Sequence, residues 1–335
     1  MIQFARMTAG RFIPSALAAA AACVAVLAAG IQAKEAASAS RPSSLTGQVM
    51  SVKMLEATME KLRPLHKKLG KPRPGDWLYH HQEPGQSFRQ YIGSRPVIPD
   101  RERRVIYIQQ IGQFTPTQRK VVSLTADWLG RCFNLPVKVN EVLPLSVVPA
   151  EARRTHPNWG DKQILTTYVL DRVLRPRLAK DAFALIAFTA SDLWPGPGWN
   201  FVFGQASLRQ RVGVWSIYRF GDPAAGEAPF RLCLLRTMKT GTHELGHMFS
   251  MLHCTAYQCG MCGSNSLPEA DRRPLALCPE CMAKVCWATQ TDPVGRYRKL
   301  EEFCRKNGLA AEAAFYDRSL KALGAAASTT TPPAK

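Results

Sequence analysis

A chain of 335 residues with 46% hydrophobic and 21% charged side chains has the make-up of an ordinary globular protein, large enough for one sizeable core or two smaller ones, which excludes a disordered or fibrous polymer. The formal net charge of +19 favours anionic partners in general. Lys and Arg are nevertheless scattered, with only short clusters such as 101–104, so no basic tract marks a groove and nucleic acid is not an expected partner.

Residues 1–33 read as a signal peptide. Arg6 and Arg11 give a basic start, residues 13–31 are apolar and alanine-rich, Ile31-Gln32-Ala33 resembles a cleavage site, and no acidic residue precedes Glu35. Export to a periplasmic or other extracytoplasmic space is the expectation, with membrane contact only through an uncleaved N-terminal segment. Residues 34–98 read as a linker, rich in Ala and Ser at its start, followed by an N-terminal extension. Within it, 45–69 carries a helical pattern that stops at Gly70 and a proline-rich turn, while 71–98 holds no long periodic segment.

Residues 104–111 alternate apolar and polar or long side chains, the period-2 signature of a strand. Thr115-Pro116-Thr117-Gln118 is a capping box with proline at the first helical position, and predicts a helix to about Cys132. A second strand is expected at 135–142, a polar loop at 153–161 and a helix at 164–174. The apolar run 182–189 suits a buried central strand, 192–199 a turn-rich loop, and 200–208 with 212–220 two strands paired through a connection near Gln210. Strands followed by one long helix give a mixed α/β layer architecture. That helix carries an apolar stripe of Leu234, Met238, Leu245, Phe249 and Leu252, with Pro229 in its first turn. A helical stretch over 300–323, broken at Asn307-Gly308, precedes a disordered tail over 324–335.

The chemistry is concentrated between Thr242 and Cys281. His243 and His247 are four apart on the long helix, so they stack on one face and can grip one ion; Glu244 between them is placed to act on an activated water. His253 follows six residues after His247, and three neutral imidazoles leave a tetrahedral zinc one open position. Cys254, Cys259, Cys278 and Cys281 have zinc-finger-like spacing and suit a second, structural zinc, the alternative in an exported protein being two disulfides. Two Zn2+ per chain are expected on this reading. Cys132, Cys233, Cys262, Cys286 and Cys304 receive no assignment, and His80 and His81 read as surface histidines.

The pattern His243-Glu244-x-x-His247-x-x-Ser250-x-x-His253-Cys254-x4-Cys259-x-Met261, followed by Cys278-x-x-Cys281, resembles the archaemetzincin family of zinc metallopeptidases. The stretches 200–220 and 264–281 and Asp76-Trp77-Leu78 are similar to that family as well. The resemblance covers roughly 76–323. It implies a metzincin-like fold for residues 99–323: a twisted mixed sheet with backing helices, an active-site helix and a small zinc-bound C-terminal subdomain. It also implies peptide or protein substrates, with His243, His247 and His253 on the catalytic zinc, Glu244 as general base, Met261 as the methionine of the turn beneath the metal, and the four cysteines on the structural zinc. Analogy with metzincins makes 200–208 a cleft-edge strand that aligns substrate by strand addition. The family has glycine where this chain has Ser250, at a sharp turn; if the turn is left-handed, serine costs about 1–2 kcal/mol there. That departure motivates an alternative, a catalytically silent zinc-stabilised binding protein, although retention of Glu244 argues for the enzyme. Residues that bind substrate side chains cannot be named from sequence.

Overall fold

The structure, a computed structural model, describes residues 50–207 and 209–325. The expected signal peptide over 1–33, the first part of the expected linker and the expected tail beyond residue 325 lie outside the described residues. Helix α1 (Val52–Leu62) starts with Ser51 accepting from the Met54 amide. It ends earlier than the pattern over 45–69 suggests because Pro64 has no amide hydrogen for a continuing helix, and the chain tightens into a 3-10 turn, Arg63–Leu65. Two short helices, α2 (Trp77–His80) and α3 (Phe88–Gly93), follow in the segment without periodicity.

Strand β1 (Val105–Ile111) and helix α4 (Pro116–Phe133) form as expected, the latter with both halves of the Thr115–Gln118 capping box closed. The strand expected at 135–142 is only β2 (Val137–Val139). The polar loop at 153–161 instead contains β3 (Arg153–Thr155), paired antiparallel with β4 (Lys162–Leu165). The helix expected at 164–174 begins only at α5 (Thr166–Tyr168), running on as one wide turn over Val169–Leu174. β5 (Ala182–Thr189) is buried at every residue, and β6 (Asp192–Trp194) lies inside the region read as loop. β7 (Gly204–Ser207) and β8 (Val212–Ser216) form the expected antiparallel pair.

The main sheet has the order β2-β1-β5-β8-β7, parallel except for β7 at its outer edge. A small sheet of order β3-β4-β6 stands beside it. Parallel central strands are covered on both faces, and β5 shows how the period of two divides its side chains. Ala184, Ile186 and Phe188 enter the large core with α4 and α6 (Glu227–Met248), whereas Leu185 and Ala187 join a smaller core against Val169, Leu170, Val173 and Leu174. The Trp128 indole donates to Thr242 Oγ1 at 2.9 Å, locking α4 to α6 one residue before the first histidine. Beyond α6 come α7 (Leu267–Asp271), α8 (Pro279–Thr289), α9 (Pro293–Lys306) and α10 (Ala310–Ala322), the last two separated by the predicted break. Among the described residues, no helix is long and apolar enough to cross a membrane.

Candidate functional site

Helix α6 ends at Met248, and its termination shapes the site. The Met251 amide donates to Gly246 O at 3.1 Å and the Ser250 amide to His247 O at 2.8 Å, the two bonds of a Schellman ending with Ser250 in the position usually held by glycine. Ser250 has φ of 64°, so the backbone is left-handed there, as a sharp turn requires. Serine is held in that geometry by a contact of its own, since its Oγ accepts from the Val97 amide at 3.0 Å. Leu252, expected on the apolar stripe, lies beyond the helix and is 50% exposed. The reversal brings His253 back over the helix, with its ring centroid 5.1 Å from His243 and 5.0 Å from His247.

All three imidazoles are buried, and each has one nitrogen committed to the protein. His243 Nδ1 lies 3.0 Å from Gly260 O and His247 Nδ1 2.6 Å from Met251 O. Carbonyls only accept, so Nδ1 carries the proton in both and Nε2 keeps a lone pair. His253 Nδ1 faces the Glu83 carboxylate at 2.8 and 3.0 Å, with the same consequence. The lone pairs converge: His243 Nε2 and His247 Nε2 are 3.0 Å apart, and the buried His253 Nε2 has no protein partner. Burial pushes the His243 imidazole down to about 3 and that of His247 well below its ordinary value, the neutral forms a metal requires. Zn–N bonds of about 2.0–2.1 Å set two ligands of one tetrahedral ion roughly 3.4 Å apart, so the set fits zinc with small adjustment.

Glu244 is buried, and desolvation raises its carboxyl to about 8. A dication against the three histidines would draw it back toward the ionised form. Beside it lies the Trp215 indole on β8. Trp215 pairs with Gly204 of β7, where a Cβ would stand 2.1 Å from the indole Cδ1, so glycine is what lets the ring cross the outer strand. A cavity of ≈ 50 Å³ next to the carboxylate is lined by Lys239, Thr240, His243, Cys262 and Arg273, among others. Met261 is fully buried beneath α6, and a Cβ at Gly246 would meet its Sδ at 2.5 Å. The Met261 carbonyl accepts from the Cys254 amide at 2.8 Å, which ties the histidine site to the cysteines.

Cys254, Cys259, Cys278 and Cys281 are buried, with their Sγ atoms all within 4.8 Å of one another. Cys254 Sγ and Cys278 Sγ are 3.6 Å apart, near the roughly 3.8 Å that Zn–S bonds of about 2.3 Å give across a tetrahedral ion. All nine cysteines among the described residues are free thiols, so the disulfide alternative is not adopted. Cys278 caps α8 and Cys281 sits in its first turn, where helical N–H groups favour thiolate. Amides also point at sulfur: those of Cys278 and Met261 reach Cys259 Sγ at 3.2 and 3.4 Å. Burial raises the Cys259 thiol while hydrogen bonds from neighbouring thiols hold that of Cys254 low. Cys262 stands beside the four and turns its thiol to Tyr257 O at 3.2 Å.

The structure thus brings together every residue that the spacing singled out. Sequence reasoning missed Glu83 and Gln86, which come from the extension, and Trp215. Asp76-Trp77 belongs here too. The Trp77 amide donates to both Glu269 carboxylate oxygens at 3.1 and 3.0 Å, and its ring meets His253 edge-on at 5.2 Å between centroids. Asp76 pairs with Arg272. His80 and His81 are exposed, as expected.

The chain is similar to known proteins in sequence and in fold. The family model for peptidase family M54 matches residues 135–286. Human archaemetzincin-2 is 36% identical over 260 residues, which span 68% of this chain and 71% of the relative. The archaemetzincin of Archaeoglobus fulgidus is 32% identical over 180 residues, 54% of this chain and 98% of its own. The crystal structure of archaemetzincin from Methanopyrus kandleri superposes with a TM-score of 0.44 at 27% identity, covering 58% of this chain and 99% of that one.

Proposed function

Because the chain belongs to the archaemetzincins, peptidase family M54, and is thereby a zinc metallopeptidase, we propose that His243, His247 and His253 hold its catalytic zinc and that Glu244 is its general base. The observation that carries this reading is the convergence of three buried Nε2 lone pairs, one of them with no protein partner, beside a buried carboxylate. When bound, zinc supplies Lewis-acid chemistry, acidifying water and polarising the scissile carbonyl. The three Nδ1 partners fix the imidazole tautomers, so no change of tautomer is needed when metal enters. Glu244 takes a proton from the attacking water on a carboxylate oxygen and delivers it to the leaving amine nitrogen. The buried surroundings exclude bulk water and strengthen every electrostatic contact within the site.

Peptide is the substrate class, and β7 supports a way of aligning it. This strand is the outer, antiparallel edge of the main sheet, and its partner residue Trp215 lies against Glu244. An extended peptide adding to that edge would run past the catalytic carboxylate. Cys254, Cys259, Cys278 and Cys281 hold a second, structural zinc in this reading, for two per chain, supported by the sulfur spacing and the free thiols. Export of the chain is part of the proposal and rests on residues 1–33 alone.

The test compares wild type with Glu244→Ala on a peptide library at matched zinc content. Removal of a positioned acid–base group costs about 10²–10⁴-fold in rate. Wild-type cleavage that persists undiminished in Glu244→Ala would remove Glu244 from the mechanism.

A further inference from the structure

We infer that Glu83, in the N-terminal extension, is a positioning residue of the metal site that fixes the His253 imidazole and strengthens it as a ligand. The inference rests on the assignment of His253 to the catalytic zinc. The three histidines are held unequally. His243 and His247 stand on a rigid helix and each gives its Nδ1 proton to a main-chain carbonyl. His253 lies beyond the left-handed turn, in residues 251–255 without regular secondary structure, so no helix orients its ring. What orients it is Glu83, with both carboxylate oxygens within 3.0 Å of Nδ1, and the edge of Trp77. With Nδ1 pinned, Nε2 is aimed at the point where the other two Nε2 atoms converge.

A surface ion pair is the blander description, and the burial argues against it. The His253 side chain is 8% exposed and that of Glu83 28%. The segment that carries Glu83 is also anchored rather than free to swing. Gln86, three residues on, accepts from the Leu252 amide at 3.3 Å and donates to Ser250 O at 3.4 Å, gripping the same turn. Lys284 of α8 donates to the Gln86 carbonyl and side chain, and the Phe88 amide donates to Glu280 at 2.7 Å. A carboxylate makes a stronger hydrogen bond to the ligand imidazole than a carbonyl does, and it raises the basicity of the opposite nitrogen. Glu83 lies upstream of residue 135, where the family-model match begins, whereas His243, Glu244, His247 and His253 fall inside that match.

The experiment titrates zinc from the full-length protein with a chelator series, resolving the histidine-held from the cysteine-held metal, in wild type, Glu83→Ala and Glu83→Gln. Loss of such an outer partner weakens metal binding by about 10–100-fold. Glu83→Ala is expected to show that loss at the histidine site with the cysteine site unchanged. Glu83→Gln, which keeps an acceptor but not the charge, is expected to show a smaller loss at the same site. Wild-type zinc affinity in a folded Glu83→Ala overturns the inference. Should Glu83→Ala not fold, Glu83→Gln decides, and unaltered affinity there overturns it equally. A wild type that binds no zinc at the histidines would instead overturn the metal assignment on which the inference rests, so the two failures are distinguishable.

Discussion

Ser250 lets three opposing effects be weighed at one position. Replacing it with glycine, the residue found there in the family, removes the strain of a left-handed serine at φ 64°, worth about 1–2 kcal/mol. The same change deletes the Oγ that accepts from the Val97 amide at 3.0 Å, a bond worth about 0.5–1.5 kcal/mol and nearer the lower figure because Val97 is 46% exposed. Glycine also widens the unfolded ensemble, at a cost of about 0.4–1 kcal/mol. The three nearly cancel, so Ser250→Gly is expected to shift stability by less than about 1 kcal/mol, and Ser250→Ala, which keeps the strain but loses the bond, to destabilise by about 0.5–1.5 kcal/mol. The assay is denaturant unfolding at fixed, saturating zinc, so that mass action does not mask the difference. A gain of more than about 2 kcal/mol in Ser250→Gly would show that the strain is not offset and would refute the reasoning.

Gly246→Ala adds a methyl 2.5 Å from Met261 Sδ; the overpacking cost of about 1–3 kcal/mol exceeds the helix-propensity gain of about 1, and a measured net stabilisation would contradict that packing. Cys278→Ser should remove one zinc per chain and lower the denaturation midpoint even in excess zinc, both read from metal content and unfolding curves. His66 packs against the Tyr257 and Phe315 rings with Nε2 unpartnered, and burial pushes its imidazole from 6.5 down to about 4. Because the folded value is the lower one, the unfolded chain takes the proton first; the contribution is full above about 6.5 and falls by about 2 kcal/mol at pH 5. His66→Phe should therefore lose less stability between pH 7.5 and pH 5 than wild type does, and equal losses would count against this assignment.

The candidate ligand set was legible in the sequence because metal chemistry imposes short, fixed spacings: four residues within a helix, and three from Cys278 to Cys281. β5 was legible as an eight-residue apolar run and α4 from its capping box. Strands β3, β4 and β6 were missed because three or four residues carry no usable period, and the pairing of β4 with β6 joins segments about thirty residues apart. The glycine-to-serine departure pointed to Ser250, but its compensation by Val97 is 153 residues away in sequence. Glu83 lies 170 residues from His253, in a stretch without periodicity, and the only hint was the family-like Asp76-Trp77-Leu78 a few residues earlier.

The central claim is that one chain carries a histidine-bound catalytic zinc and a cysteine-bound structural zinc. Metal content combined with zinc X-ray absorption on wild type and His247→Ala tests it directly. The account predicts two zinc ions per wild-type chain with a mixed nitrogen and sulfur shell, and in His247→Ala loss of the nitrogen-rich component with the four-sulfur component retained. A single zinc per chain, with an all-sulfur shell that His247→Ala leaves unchanged, would contradict it.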